Sequence, residues 1–423
     1  MDVRITPGIL SGNIDIIESK SHAHRILICT ALSDRPTKVI CAQSSEDIDA
    51  TVRCLNALGA NIARTSDGFS VVPIATPPES AYMDCGESGS TLRFLLPVIG
   101  ALGVHASVKM SGRLPQRPLS PLWEQLCAGG MTLDKPQEDI IECGGKLCAG
   151  TYTLPGNISS QFISGLLFAL PVIDGQSQLI ITGKTESKAY IEMTTRVLSG
   201  FGIDIPFECD RFIINGGCTP RTAADTVKAE GDWSNAAFWL CAGALSDSGI
   251  TCRGLDLVSV QGDRHVTTLL DRFGAKVKLA GDYANVTCAG MNGCVIDASD
   301  IPDLVPILAV CACRARGITK IINAQRLRIK ESDRLKTVSD MLSALGADIA
   351  ETDDGLIING SEKGLRGGAE VCACGDHRIA MSAAIASCMC REAIVITGAQ
   401  AVNKSYPKFW EHFEMLGGKA EVI

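Results

Sequence analysis

At 423 residues with 46% hydrophobic side chains, the chain is long enough for two or three domains with sizeable cores. Its net charge of −8 argues against a general nucleic-acid surface, so any anion binding has to come from local basic clusters. The 19 cysteines are an odd number, widely spread and without a Cys-x-x-Cys pair, which points to buried thiols in a reducing cytoplasm rather than a disulfide framework.

The first stretch, Met1 to Leu10, carries Asp2 and Arg4 and has no long apolar core, so no signal or transit segment is expected. The longest apolar runs, such as Phe94 to Val104, fall short of the roughly 18 residues a spanning helix needs, and no membrane partner is expected.

From there the chain repeats one unit six times. An amphipathic helix ends in a hydrophobe or small residue plus Gly, and an alternating strand follows: Leu58-Gly59-Ala60-Asn61-Ile62, Ala128-Gly129-Gly130-Met131, Phe201-Gly202-Ile203-Asp204-Ile205, Phe273-Gly274-Ala275-Lys276-Val277, Leu345-Gly346-Ala347-Asp348-Ile349 and Leu416-Gly417-Gly418-Lys419. The glycines at 59, 129, 202, 274, 346 and 417 lie 70, 73, 72, 72 and 71 residues apart, each suited to a left-handed helix end. Return strands follow turns such as Asp67-Gly68 and Asp354-Gly355.

Each unit holds a second helix, apolar nearly all round but polar at its head. These begin near Ser19-Lys20-Ser21, Glu87-Ser88-Gly89-Ser90, Ser159-Ser160-Gln161, Asp232-Trp233-Ser234, Asp300-Ile301-Pro302-Asp303 and Asp376-His377-Arg378. A helix apolar all round is buried, yet its first N–H groups still need partners. Six such heads would collect donors and positive dipole ends. Ser and Asp capping accounts for part of every head, but not for Lys20, Arg25, Arg93, His377 and Arg378 in or beside the first turns.

The sixth unit stops at Ile423 without its return strand, and the extended piece around Val3-Arg4-Ile5 is the candidate to complete it. The expected division is therefore 13–226 for an N-terminal domain of three repeats, and 1–12 with 227–423 for a C-terminal domain of three, with the active site between them. Arg326-Leu327-Arg328-Ile329-Lys330 alternates as a strand would, which puts three cations on one face, and Ser332 or Asp333 can cap a helix running through Leu335, Val338 and Leu342. A basic strand end beside a helix head is an anion site.

Over essentially its whole length the sequence resembles the EPSP synthase (3-phosphoshikimate 1-carboxyvinyltransferase) family of enolpyruvyl transferases. The resemblance rests on Ser19-Lys20-Ser21 with Arg25, Glu87-Ser88-Gly89-Ser90-Thr91-Leu92-Arg93, Arg117-Pro118-Leu119, Ser159-Ser160-Gln161-Phe162, Ile301-Pro302-Asp303, Arg328-Ile329-Lys330-Glu331-Ser332-Asp333-Arg334, Asp376-His377-Arg378-Ile379-Ala380-Met381 and Lys404-Ser405-Tyr406-Pro407. Each stretch is weak alone, and all of them in order are specific. The resemblance implies a two-domain inverse α/β barrel of six βαβαββ units, three per domain, with buried helices whose N-termini face the interdomain cleft. It implies addition of the 5-hydroxyl of shikimate 3-phosphate to phosphoenolpyruvate, protonation at C3 and loss of phosphate. No metal and no organic cofactor is implied. Cys372-x-Cys374-x-x-His377 lacks the second half of a metal site.

The same resemblance assigns roles. Lys20, Ser21, Arg25, Ser159, Ser160, Gln161, Ser187, Asp303 and Lys330 would hold shikimate 3-phosphate, although Ala189 replaces the usual Pro near Ser187. Lys20, Gly89, Arg117, Gln161, Arg334, Arg378 and Lys404 would hold phosphoenolpyruvate. Arginine offers planar paired donors to its carboxylate and phosphate, and Gly89 lets backbone approach the ligand. Asp303, Glu331 and Lys20 are the proton-transfer candidates, with the division of labour among them open. His377 either orients a proton donor or is a buried core histidine. Asp47 is read as a structural cap. Two positions depart from the pattern: Glu87, expected to face Arg93 or another cation, and Arg326, where some relatives have Asn.

The related transferase acting on UDP-N-acetylglucosamine carries a Cys in the loop before its Arg-Pro pair, and Gly112-Arg113-Leu114-Pro115-Gln116-Arg117 has none. A non-catalytic binder would need the cations but not both Asp303 and Glu331. A monomer that closes around its two small anionic substrates is the expected working form.

Overall fold

The computed structural model describes residues 1–222 and 224–423. The chain divides into an N-terminal unit, Lys20–Ala229, and a C-terminal unit made of Met1–Ser19 with Glu230–Ile423. The N-terminal unit contains α1 (Lys20–Ala31), α2 (Glu46–Ala57), α3 (Gly89–Leu102), α4 (Leu122–Ala128), α5 (Ser160–Ala169) and α6 (Lys188–Gly200). The C-terminal unit contains α7 (Trp233–Ala244), α8 (Val266–Phe273), α9 (Val305–Arg314), α10 (Arg334–Ala344), α11 (His377–Ala386) and α12 (Phe409–Met415).

The odd-numbered helices are the apolar ones and form the two cores. In the N-terminal unit Leu27, Leu95, Leu96, Ile163 and Leu167 are sealed from solvent; in the C-terminal unit Trp239, Leu240, Leu308, Val310 and Ile385 are. The even-numbered helices bury one stripe each, as α8 does with Val266, Leu269, Leu270 and Phe273.

Among the described residues six four-stranded sheets surround these helices, three per unit, and all six share one order: a strand parallel to the second, which pairs antiparallel with the third, which pairs antiparallel with the fourth, as a hairpin in every sheet but the sixth. This is the βαβαββ unit read from the sequence. The sixth sheet is completed by Val3–Thr6, which lies antiparallel between Ile394–Thr397 and Lys419–Val422.

The crossings between units fall later than the expected 12/13 and 226/227. Strand Gly12–Asp15, just before α1, pairs in parallel with Ile250–Arg253 and so stays in the C-terminal unit. Strand Thr226–Lys228, just before α7, pairs with Thr37–Ile40 and stays in the N-terminal unit. The first strands of repeats one and four are thus exchanged, and the chain changes unit only after them. The second helix-end glycine also shifts. Gly129 has a right-handed backbone and Gly130 carries φ 106°, so the left-handed positions are 59, 130, 202, 274, 346 and 417, every step 71 or 72.

The Asp354-Gly355 turn needs glycine for contact rather than for φ. A Cβ on Gly355 would sit 1.8 Å from the Ile321 carbonyl oxygen, whereas one on Gly8 in the same unit meets nothing within 4 Å. Gly355→Ala should cost roughly 2 kcal/mol in urea unfolding, and Gly8→Ala less than about 0.5. Equal midpoints for the two variants would contradict this packing.

Candidate active site

In the N-terminal unit the heads of α1, α3, α5 and α6 carry the polar groups. Lys20 opens α1, and its Nζ lies 2.7 Å from Asp47 Oδ2 in the first turn of α2. The cap of α2 is Ser45, whose Oγ accepts from Ile48 N, so Asp47 is the partner of Lys20 and not the expected cap. Ser21 follows, and its carbonyl accepts from Arg25 Nη1 at 2.6 Å. Arg25 also donates to Thr194 Oγ1 and to the Tyr190 carbonyl, and lies over the Phe94 ring. It is a buried clamp between α1 and α6. Burial holds its guanidinium down to about 10, and Tyr190 and Cys29 pull it back upward.

Ser88 caps α3 by accepting from Thr91 N. Behind it runs a chain of side-chain hydrogen bonds, each 2.7 Å, from His24 through Thr51 and Thr91 to Ser88, which ties α1, α2 and α3 together. Burial first, then Lys20 and Arg25, keep His24 neutral by holding its pKa well below the usual value. Gly89 sits against two guanidiniums: a Cβ there would be 2.8 Å from both Arg117 Nη1 and Arg93 Nη1. Arg93 Nη1 donates to Gln161 Oε1, and Gln161 Nε2 donates to Ser90 Oγ, both at 2.9 Å, so the heads of α3 and α5 are joined through Gln161. Ser159 caps α5, Ser160 is buried in its first turn, and Ser187 precedes α6 with φ 53°. Glu87 lays its carboxyl against the backbone of Gly112, where a Cβ would lie 2.3 Å from it.

In the C-terminal unit the basic stretch differs from the strand the alternation suggested. Gln325–Ile329 is a 3-10 helix, whose three residues per turn cannot put Arg326, Arg328 and Lys330 on one face. Arg328 turns away to Glu351, Asp333 and the carbonyl of Thr352. Half-buried Arg326 and Lys330 remain close enough for the first to depress the second electrostatically. Asp333 caps α10, whose Leu335, Val338 and Leu342 are buried as expected.

The centre of this unit's cluster is Arg334, 1% exposed. Its Nε donates to Asp376 Oδ2, Nη1 to Asp303 Oδ1 and Nη2 to Glu331 Oε2, each at 2.7 Å. Asp376 is the cap of α11 and also accepts from Ser332 Oγ at 3.0 Å. Arg378 donates to the Asp303 carbonyl and to Ser234 Oγ, with its Nη2 3.3 Å from Asp303 Oδ2. Lys330 Nζ lies 3.8 Å from Asp303. Lys404, at the end of a 3-10 turn, donates to the Gly375 carbonyl at 2.6 Å. His377 is buried in the first turn of α11, 4.0 Å from Asp376.

The charges perturb one another. Burial pushes Asp303 upward, but Arg378, Lys330 and Arg334 outweigh it and hold the carboxyl well below its ordinary value. Lys330 is brought down to about 8, chiefly by burial, with Asp303 opposing. Arg334 is raised, because Asp376, Glu331 and Asp303 outweigh its burial. Asp263 belongs to this group and was not read from the sequence. It lies in the 3-10 turn Gly262–His265 ahead of α8, far from any buried-helix head in the chain. It faces Ser234, Arg378, Asp303 and Asp232, and its buried Oδ1 has no hydrogen-bond partner. Burial first, then Asp303, push it up to about 6, against Arg378 and Ser234.

Helix heads that gather arginines and lysines around buried carboxylates, on six repeated sheets, define an α/β repeat protein with a charged polar cluster in the C-terminal unit. The chain belongs to the EPSP synthase (3-phosphoshikimate 1-carboxyvinyltransferase) family, whose model matches residues 5–413. The 3-phosphoshikimate 1-carboxyvinyltransferase of Clostridium beijerinckii is 43% identical over 429 residues, covering 99% of this chain and 98% of that one. Its counterpart in Clostridioides difficile is 41% identical over 433 residues, with the same coverage. Among solved structures, EPSP synthase from Acinetobacter baumannii shares the fold with a TM-score of 0.81 at 24% identity, over the full length of both chains. The enolpyruvyl transferase NikO from Streptomyces tendae does so with 0.80 at 18%, over 99% and 98%.

Asp263 gives this cluster a pH signature. Its pKa in the fold is raised, so its charged form is disfavoured and stability falls as pH rises from about 4 through 6. Asp263→Asn should therefore stabilise the protein by roughly 3 kcal/mol at pH 7.5, with the gain vanishing toward pH 4. Urea unfolding at the two ends of that range checks it; a gain that does not change with pH would refute the assignment.

Proposed function

We infer that this chain transfers the enolpyruvyl group of phosphoenolpyruvate to the 5-hydroxyl of shikimate 3-phosphate, giving 5-enolpyruvylshikimate 3-phosphate and phosphate. This is the shikimate-pathway step toward chorismate and the aromatic amino acids. The 5-oxygen bonds to C2 while C3 takes a proton. The tetrahedral intermediate then loses phosphate and a C3 proton to leave the enol ether.

The observation that best supports this chemistry is Arg334, whose three nitrogens each meet a carboxylate at 2.7 Å, two of them the proton-transfer candidates Asp303 and Glu331. With its pKa so depressed, Asp303 is a weak base. A substrate carboxylate that takes the Arg334 fork displaces Asp303 and Glu331 from it. Released from that cation, Asp303 regains part of its basicity, with Arg378 and Lys330 still beside it, as the 5-hydroxyl proton must be removed. Binding and activation of the base are then one event.

Arg378 and Lys404, already directed by Asp303, Ser234 and Gly375, supply further charge to phosphoenolpyruvate, and Arg117, Gln161 and the Gly89 amide are assigned to the same ligand. Lys20, Ser21, Ser159, Ser160, Gln161, Ser187, Asp303 and Lys330 serve shikimate 3-phosphate. Arg25 serves it by fixing the α1 head, since each of its nitrogens already donates within the N-terminal unit. His377 and Arg326 support these groups. The working form we propose is a cytoplasmic monomer. No helix among the described residues is long and apolar enough to cross a membrane.

Phosphate release from phosphoenolpyruvate, assayed in chelator-containing buffer, should require shikimate 3-phosphate; release with UDP-N-acetylglucosamine alone would overturn the reading. Asp303→Asn should lower kcat by about 10²–10⁴-fold with unchanged circular dichroism, and a loss below threefold would remove Asp303 from proton transfer. Because Lys330 loses its charge above about pH 8, kcat/KM for shikimate 3-phosphate should fall about tenfold per pH unit beyond it. Lys330→Arg should abolish that limb, and persistence of the limb would assign it to another group.

A further inference from the structure

Cys372 and Cys374 stand outside the residues assigned to the reaction. Both are exposed, at and just beyond the end of strand Glu370–Cys372. The Cys374 amide donates to Cys372 Sγ at 3.1 Å, so the first side chain folds back over the second residue. Cys372 acts electrostatically on the Cys374 thiol, so the two side chains are neighbours. Asp376 N donates to the Ala373 carbonyl at 2.8 Å, closing a turn whose central residues, Cys374 at φ 52° and Gly375 at φ 67°, are both left-handed. A cysteine in that conformation is held there by its surroundings.

The two residues after Cys374 tie the thiols to the cation cluster. The Gly375 carbonyl accepts from Lys404 Nζ at 2.6 Å. Asp376 caps α11, accepts from Arg334 Nε and accepts from Ser332 Oγ. One turn therefore carries an oxidisable pair of sulfurs and the direct supports of two cations.

We propose that Cys372 and Cys374 form a dithiol modification site for low-molecular-weight disulfides, and that the resulting Cys372–Cys374 bond displaces Gly375 and Asp376 from Lys404 and Arg334. The consequence for turnover rests on the phosphoenolpyruvate reading of those two cations. Cys372, as thiolate, attacks one sulfur of the disulfide RSSR; the Cys372–S–S–R bond forms and RS⁻ leaves. Cys374 then gives its proton to solvent and attacks Cys372 Sγ, and the second RS⁻ leaves. The protein loses two thiol protons and two electrons, and RSSR is reduced to two thiols. Cys374 is pushed up to about 11 by partial burial, by Cys372 beside it and by Asp376 and Asp340, so its thiolate is scarce and it acts second, as the resolving thiol. Closing the sulfurs to about 2.05 Å draws the Cys374 peptide toward the strand, and the next two residues have to turn with it.

The test uses oxidised glutathione on the reduced, full-length enzyme. After alkylation and trypsin, peptide Gly367–Arg378 should lack two hydrogens and resist alkylation. In parallel, kcat/KM for phosphoenolpyruvate should fall at least tenfold and return with dithiothreitol. The Cys372→Ser, Cys374→Ser double variant should keep its activity under the same oxidation. The proposal is overturned if that peptide stays reduced while other thiols react, if the bond forms without loss of activity, or if the double variant loses as much as the wild type. Should the double variant fail to fold, wild-type peptide mass and recovery on reduction decide the matter. The mass is read without turnover, so an enzyme inactive toward phosphoenolpyruvate even when reduced would refute the proposed function, and the peptide alone would then decide the dithiol site.

Discussion

A guanidinium removed from water needs an acceptor at every nitrogen, and Arg334 meets a carboxylate at all three. Burying it costs several kcal/mol unless every nitrogen is met, and removing one partner leaves the remaining charge uncompensated. Its partners come from three places in the C-terminal unit: Asp303 ahead of α9, Glu331 ahead of α10, and Asp376 at the cap of α11. One buried ion cluster therefore sets the heads of three helices relative to one another. Asp376 shows how closely structure and function are joined here, since the same carboxylate caps α11, holds Ser332 and holds Arg334.

The N-terminal unit meets the same demand with less charge. Its buried helices are also apolar along their length, and their heads are joined by the neutral His24–Thr51–Thr91–Ser88 chain and by the Arg93–Gln161–Ser90 chain, in which a single cation is met by an amide rather than a carboxylate. Neutral donors and acceptors at a buried helix head satisfy the first N–H groups without the desolvation cost of ions. Both units thus answer one problem created by the repeat, a buried helix with an unsatisfied end. The polar groups that solve it are the same groups that can meet an anion.

Much of the fold could be read from glycine spacing and helix composition, because both are local. Six apolar helices with polar heads, six glycine-ended amphipathic helices and the use of Val3–Thr6 to finish the sixth sheet all follow from periodicity. The errors mark where locality ends. Gly129 and Gly130 are adjacent, and only packing on the strand that comes after them chooses the left-handed one. Strands Gly12–Asp15 and Thr226–Lys228 precede α1 and α7 in the chain but pair in the other unit, an exchange no spacing reveals. Arg326 to Lys330 alternates like a strand, yet the contacts of Arg328 with Glu351 and Thr352 wind it into a 3-10 turn.

The sequence by itself determined the repeat, the six buried helices, the residues at their heads and the family, because burial periodicity and short motifs are properties of neighbouring residues. Tertiary structure alone decided which of those heads share charges: that Asp303, Glu331 and Asp376 converge on Arg334, that Arg25 spends its donors on α6, and that Asp263, from an outer turn, joins Ser234 and Arg378. The physical reason is that electrostatic coupling depends on distance through space. Here the groups within hydrogen-bonding reach of Arg334 are up to 42 positions away along the chain.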